Sequence, residues 1–444
     1  MAGGIFGAMN KIRPGAYINF TKESEEIANV GTRGIVTMLA PLSWGNFSAI
    51  NEVTGADMIN GKSLAKIGML STDANALLFN LALENAAVLK IFNTNKSGVK
   101  ATKTLTDGLT ITAKYPGVFG NKIAIVVKEL NATTFDVETY ADGYYVDSQK
   151  VAAIADLVSN DYVDFSGTGD LAATESTLLT GGTDGTAMQS SEYLPLYFTA
   201  LKNTRWNTLA FDSNVAADIT SIITFIQTMR ETEGKYVQAV VANAAAANYE
   251  GIINLVNGVV LDNGTTVAAK DFTTWVAGAT AGAALNESLT GKVVTRAKSV
   301  DGLLDNTAII NGLQVGKFIL SLNQNGTVKV EKDINSLHSF TATKSYVFSK
   351  NRVIRELDTI GAAIEDIWET TYLGKVTNNN NGRLQFKSSI INYLADLVNQ
   401  GAIDEFDPDR VIVEAGEDVD EVIASIAVKP LDSMEYLYMT VNIS

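Results

Sequence analysis

Along most of this chain, apolar and polar positions recur in patterns that predict a succession of strands and helices. After the turn-forming Pro14-Gly15, Ile18 and Phe20 alternate with Tyr17 and Asn19, a strand pattern behind a Gly-rich opening. Residues 34–39 predict a strand. Asp73 stands where it would cap a helix carrying Leu77, Leu78, Leu81 and Leu83, and Lys90-Ile-Phe92 opens a further strand. From 96 to 190 the texture changes to short strands rich in Thr, Gly and Asn. Residues 109–114 alternate, 123–127 read as a buried strand, and Tyr115-Pro-Gly-Val-Phe-Gly-Asn121 turns between them.

From 191 to 345 the pattern returns to strand and helix in alternation. A strand at 208–211 is followed by cap candidates Asp212 to Asn214. Ile219, Ile222, Ile223, Ile226 and Met229 then recur at helical spacing, and 236–241 is the next strand, which together predict a βαβ unit. Asp262-Asn-Gly264 marks a hairpin, Asp271 stands where it would cap an Ala-rich helix, and 325–331 turn into a strand. In the last hundred residues Val353, Leu357, Ile360, Ile364 and Ile367 line one helix. Phe386, Ile390, Leu394, Leu397 and Val398 line another, ended by Gly401. The chain finishes on an alternating segment, with Leu437, Met439, Val441 and Ile443 facing one way and Tyr436, Tyr438, Thr440 and Asn442 the other.

These patterns predict a multidomain protein of α/β and α+β class. Residues 1–20 form an N-terminal arm, and 21–95 with 191–345 an α/β domain. Residues 96–190 form an inserted β-rich domain, and 346–444 a C-terminal domain that ends in a strand arm. A length of 444 residues accommodates about three domains.

Composition narrows the function. The net charge of −15 disfavours nucleic acid and anionic membrane as partners. No apolar run reaches membrane-spanning length, and the N-terminus lacks the features of a signal peptide, so a cytoplasmic origin is expected. With no cysteine and one histidine, disulfides, thiolate chemistry and Cys-ligated metals drop out. Ala56-Asp-Met-Ile-Asn-Gly-Lys62-Ser63 fits a relaxed phosphate-loop pattern in which Lys62 would meet a nucleotide, but the preceding residues make a poor buried strand and the loop carries Met58 and Ile59. Gly167-Thr-Gly169 lacks a following helix, and His338 has no nucleophile elbow to serve. Nine acids between 404 and 421 miss the calcium-loop spacing. No catalytic, cofactor-binding or metal residue is therefore expected. A nucleotide-binding enzyme using Lys62 and a surface-layer or adhesin-like protein are the alternatives.

The two ends pose the sharpest question, because a terminal alternating strand must bury its apolar row and match its backbone groups. Either each end docks in its own subunit, or each adds to the sheet of a neighbour. A further cue is basic: Lys350, Arg352 and Arg355 open a helix in an otherwise acidic chain. They are either a rim on a packed helix or a contact for an acidic partner.

Several segments in order resemble contractile tail sheath proteins of Gram-positive prophages and phage-tail-like bacteriocins. They are Arg13-Pro-Gly-Ala-Tyr-Ile-Asn-Phe20, Ala113-Lys-Tyr-Pro-Gly-Val-Phe-Gly-Asn-Lys122, Leu179-Thr-Gly-Gly-Thr-Asp-Gly185 and Asn325-Gly-Thr-Val-Lys-Val-Glu-Lys-Asp-Ile-Asn335, then Asn351-Arg-Val-Ile-Arg-Glu-Leu-Asp358, Tyr372-Leu-Gly-Lys-Val376 and Asp432-Ser-Met-Glu-Tyr-Leu-Tyr-Met-Thr-Val441. The resemblance implies a structural subunit, not an enzyme, that stacks in hexameric rings as a six-start helix around an inner tail tube. Tail terminator and baseplate proteins would close its ends. It implies assembly in the host cytoplasm, release by lysis, and residence in a virion tail or tail-like particle. It also implies that Tyr17, Ile18, Phe20, Leu437, Met439, Val441 and Ile443 make the strand exchange between subunits, and that the terminal domain lies nearest the tube. Arg352 and Arg355 are the expected tube contacts.

Overall fold

The computed structural model describes residues 33–442, preceded by the backbone of two short strands, Ala2–Gly4 and Gly15–Tyr17, which pair in parallel. Of the expected arm residues, Ile18, Phe20 and Ile443 lie outside the described residues.

Runs of β-branched and apolar residues that can be covered on both faces build a seven-stranded sheet. Its strands are β1 (Ile35–Ala40), β2 (Ile50–Thr54), β3 (Val88–Asn93), β4 (Thr208–Ala210), β5 (Gln238–Ala242), β6 (Ile252–Leu255) and β7 (Lys317–Phe318). They lie in the order β7-β6-β5-β4-β1-β3-β2 and run parallel, except that β2 is antiparallel to β3. Helices α1 (Leu77–Leu83) and α4 (Ala269–Gly282) cover one face, where Val36, Met38, Leu89, Ile91, Val240 and Ile253 meet Phe79, Phe272 and Trp275. Helices α2 (Ser190–Lys202) and α3 (Ala216–Glu231) cover the other, where Leu39, Phe92, Leu209 and Val241 meet Tyr197, Ile222 and Ile226. The neighbours Val240 and Val241 thus serve opposite cores, as the two-residue period of a strand requires. The expected βαβ unit is present as β4, α3 and β5, with its two strands parallel.

Between β3 and β4 the chain leaves this sheet through a neck in which Asn95–Lys96 pairs with Thr186–Ala187. Beyond the neck stand two antiparallel sheets. One orders Tyr144–Val151, Thr134–Ala141, Ile123–Asn131 and Thr174–Leu178; the other orders Val163–Ser166, Thr110–Pro116 and Lys100–Thr104. Leu109, Ile111, Ile125, Val127 and Val137 fill the core they share, with Trp44 and Leu64 entering from the sheet domain.

The last unit is helical. Helices α5 (Asn351–Ile367) and α6 (Asn380–Asn399) pack through Ile360, Ile367, Phe386, Ile390 and Leu394. A two-stranded hairpin, β8 (Val411–Ala415) and β9 (Val422–Ile426), rests on them through Val411, Val413 and Val422.

Three expected caps fall elsewhere. Asp73 precedes a single 3-10 turn, and its carboxylate accepts from the Leu70 N–H at 2.7 Å. Helix α3 starts after Val215, whose N–H donates to Ser213 Oγ at 3.1 Å. Asp271 sits inside the first turn of α4, where its carboxylate pairs with Lys270 at 2.5 Å. The final strand expected over 436–443 is also unformed across its described part: residues 436–442 adopt no regular secondary structure and have no strand partner among the described residues.

Candidate subunit-linking site

The quoted motifs find each other in two polar locks. At the neck, Asp184 accepts from the Val118 N–H at 2.8 Å through Oδ1 and from Ser43 Oγ at 2.8 Å through Oδ2. Asn121 exchanges two bonds with the Gly182 backbone, at 2.8 and 2.9 Å. The Pro116-Gly117 turn comes so close to Ser43 that a Cβ on Gly117 (φ +127°) would lie 1.9 Å from the Ser43 carbonyl oxygen, which only glycine permits. The Pro-Gly and Thr-Gly-Gly-Thr-Asp-Gly segments therefore hold the inserted domain on the sheet domain.

The second lock surrounds the N-terminal half of α5. Asp333 is buried; it accepts from Asn351 Nδ2 at 2.9 Å and the Leu289 N–H at 3.0 Å, and lies 3.8 Å from Arg355. Burial pushes its carboxyl up against the pull of the Arg355 charge. Arg355 is fully buried and donates to the carbonyls of Glu287 and Thr280, at 2.5 and 3.4 Å. Arg352 donates to Glu356 at 3.0 Å and to the Gly401 carbonyl at 3.2 Å. The expectation that these two arginines contact a tube is corrected: both guanidiniums are committed inside the chain, and unpairing them would strand buried charge. Glu356 Oε2 has no hydrogen-bond partner among the described residues. Burial pushes this carboxyl up to about 7, with the Arg352 hydrogen bond opposing. Nearby, Arg230 of α3 grips Asp358 with two bonds of 2.7 and 2.8 Å. Arg33 donates to Thr359 Oγ1 at 3.1 Å, its pKa lowered to about 10 by burial and then by Arg355.

The C-terminal segment is rooted on the same helix. Lys350, the N-cap of α5, pairs with Asp432 at 3.0 Å and with Glu435. Burial disfavours the Lys350 charge, but the hydrogen bonds to Glu435 and Asp432 outweigh it and raise the pKa. Beyond Tyr436, both rows of the alternating segment face outward: Leu437 is 85%, Tyr438 92%, Met439 74% and Val441 70% exposed. Among the described residues of the subunit, nothing covers either row. Tyr17 lies in the paired strand Gly15–Tyr17.

The enzyme-like motifs resolve into ordinary structure. Residues 55–59 and 63–67 are short helices, so the N–H groups around Lys62 are spent in turns: Asp57 donates to Thr54 Oγ1, Asn60 to Ala56 and Leu64 to Gly61. Gly169 leads into the strand Thr174–Leu178 and not into a helix. The backbone of His338 is held by Asn248, and its Nδ1 lies 2.9 Å from the Ser336 carbonyl. The acidic stretch runs over the exposed side of the hairpin, where Glu421 accepts from the N–H groups of Glu417 and Asp418. Among the described residues no cluster of acids or histidines is placed to hold a metal, and no helix is long and apolar enough to cross a membrane.

Residues 96–184 match the phage tail sheath protein beta-sandwich domain, 185–336 its central domain, and 343–444 the phage tail sheath C-terminal domain. The chain is 33% identical over 474 aligned positions to the phage-like element PBSX protein XkdK of Bacillus subtilis (strain 168), covering 100% of each. A solved sheath tail protein from Desulfitobacterium hafniense superposes with a TM-score of 0.77 at 40% identity, over 97% of this chain and 100% of that one. At 10% identity the helical sheath of the anti-feeding prophage in its contracted state shares the fold, with a TM-score of 0.58 over 97% of this chain and 98% of that one. These matched families are structural and not catalytic. With three successive sheath domains matched and a full-length relative at this identity, the chain belongs to the phage tail sheath protein family.

Proposed function

We propose that this chain polymerises as a six-start helical tube of stacked hexameric rings around an inner tail tube, and contracts to drive that tube through a target envelope. Its place is a phage tail or tail-like particle, assembled in the host cytoplasm, closed by baseplate and terminator proteins and released by lysis. The observation that carries the reading is the C-terminal segment. Alternating apolar side chains stand 70–85% exposed on a segment without regular structure that leaves a firmly held root. Such a strand is stable once a sheet accepts it.

The β8–β9 hairpin supplies that acceptor. Two strands are marginal alone and leave two edges open, and here Ile412 and Ile423 are 43% and 56% exposed on the outer face. The N-terminal arm with Tyr17, Ile18 and Phe20 is the second link. Two arms reaching different neighbours make heterologous contacts that propagate without closing. During contraction the domains turn as rigid bodies while the arms act as hinges, so the lattice stays connected.

Negative-stain microscopy of the chain co-expressed with a tube protein, full-length beside a version ending at Tyr436, tests this. Striated tubes are expected from the full chain and none from the truncated one; equal tubes from both would sink strand exchange by the C-terminal arm.

A further inference from the structure

The exposed strand does not begin gradually. Met434 is wholly exposed, yet the side chain of the next residue, Glu435, is 6% exposed. Its Oε1 accepts from Thr290 Oγ1 at 2.8 Å, and its Oε2 takes Lys350 Nζ with Lys332 Nζ 3.9 Å away. Thr290 Oγ1 in turn accepts from the Asp333 N–H at 2.9 Å, so the carboxylate joins the lock around α5. Tyr436 completes the root: Lys332 Nζ donates to its hydroxyl at 2.7 Å and to that of Tyr346 at 2.9 Å. After Tyr436 the described side chains stand exposed.

We infer that Glu435 is the fixed pivot of the C-terminal arm, a positioning residue that pins the arm to the seam between the central domain and α5 and sets the direction in which residues 437–442 leave the subunit. The inference rests on the strand exchange proposed above and adds to it how the arm is aimed. The chemistry suits the task. One carboxylate accepts simultaneously from a hydroxyl and an ammonium contributed by separate segments, with a second ammonium close by, and charge-assisted bonds are directional. Thr290 and Lys332 belong to the region that packs with the sheet domain, whereas Lys350 opens the terminal domain, so a turn of either body is felt at this residue.

Without Glu435, the holds left on this stretch are the Lys332 bond to the Tyr436 hydroxyl at 2.7 Å and the Asp432–Lys350 pair at 3.0 Å, both at more exposed side chains. Once the Tyr436 hydroxyl bond yields as well, the free segment lengthens from about 7 to about 11 residues and its reach from about 23 to about 36 Å. Effective concentration at the acceptor falls about twofold from length alone, and further from lost orientation. Glu435→Ala should therefore need at least threefold more protein to form lattice in a sedimentation assay with the tube protein.

A structural role alone would not move the second readout. A spin label at Leu437→Cys paired with one at Val293→Cys, in a chain with no other cysteine, should give one narrow distance in the wild-type background and a broad spread in Glu435→Ala. Glu435→Gln, which keeps a hydroxyl acceptor but loses its charge, should fall between. It also carries the test if the alanine variant fails to fold. If the chain ending at Tyr436 loses assembly while folded Glu435 variants assemble at the wild-type concentration with a narrow distance, the pivot is refuted and strand exchange survives. If the truncated chain still assembles, strand exchange fails and the pivot falls with it.

Discussion

Asp358→Asn is the substitution whose cost follows most directly from the geometry. Asp358 and Arg230 are 8% and 11% exposed, joined by two bonds of 2.7 and 2.8 Å, and they form an ion pair that connects α3 on the central sheet to α5 in the terminal domain. At this separation and an effective dielectric of about 20 the gross attraction is about 6 kcal/mol, most of it offset by the desolvation of both ions. Removing one partner is worse than removing both. The guanidinium would keep the Val237 carbonyl, 3.0 Å away, and at most one bond to the new amide oxygen, and Arg33 would lose a nearby counter-charge. The expected loss is about 3 kcal/mol for Asp358→Asn and about the same for Arg230→Gln, with the double variant less destabilised than their sum by about 1–2 kcal/mol. Urea unfolding followed by tryptophan fluorescence measures this, because the four tryptophans fall one to each core: Trp44 in the inserted domain, Trp275 and Trp206 on the two sheet faces, and Trp368 against the terminal helices. The Trp206 and Trp368 signals should shift earlier together. A loss below about 0.5 kcal/mol in either single variant, or strict additivity in the double, would refute the claim that this pair fastens the seam.

Three further predictions follow from contacts elsewhere. A Cβ at Gly282 would stand 1.8 Å from the Asn85 carbonyl oxygen where α4 crosses the end of α1, so Gly282→Ala should cost about 2–3 kcal/mol and shift the Trp275 transition most. Asp184→Ala removes two 2.8 Å bonds at the neck and should cost about 1–3 kcal/mol, read by Trp44, without touching the Trp368 transition. The folded-state pKa of Glu356 is raised to about 7 from an ordinary value of 4.5, so the folded chain holds a proton that the unfolded chain has lost between those values, and the stability this confers fades as pH rises through about 7. Glu356→Gln should flatten the stability difference between pH 5 and pH 8 by about 1–2 kcal/mol, after a discount for solvent screening; an unchanged pH profile would exclude this group as its source.

Much of the fold was legible because it depends on local periodicity. The Ile219 to Met229 and Val353 to Ile367 stripes became helices, and the strands around β4 and β5 paired in parallel across the helix between them. Capping was misread where a short acid competes for a backbone donor nearer at hand, as Asp73 does with the Leu70 N–H. Arg352 and Arg355 were misread for a different reason. Several of the groups that bury and neutralise them, Asp333, Glu287 and the Gly401 carbonyl, lie far away in sequence, and spacing within one helix carries no trace of them. The signal that could have found one of them was the i,i+4 spacing of Arg352 and Glu356, which meet as an ion pair within the helix. The C-terminal alternation predicts a strand that the described residues of a single chain do not form.

The partner of that strand is the point on which the account turns, and the absence of native cysteine makes it directly measurable. Two chains would be co-assembled with the tube protein, one carrying Val441→Cys and the other Ile423→Cys on the acceptor hairpin, then oxidised and run without reductant, with Ile412→Cys probing the other strand. Strand exchange predicts a disulfide-linked species containing one chain of each kind, formed in assembled particles and absent from the monomers. Particles that assemble yet give no mixed cross-link from either hairpin strand would contradict it.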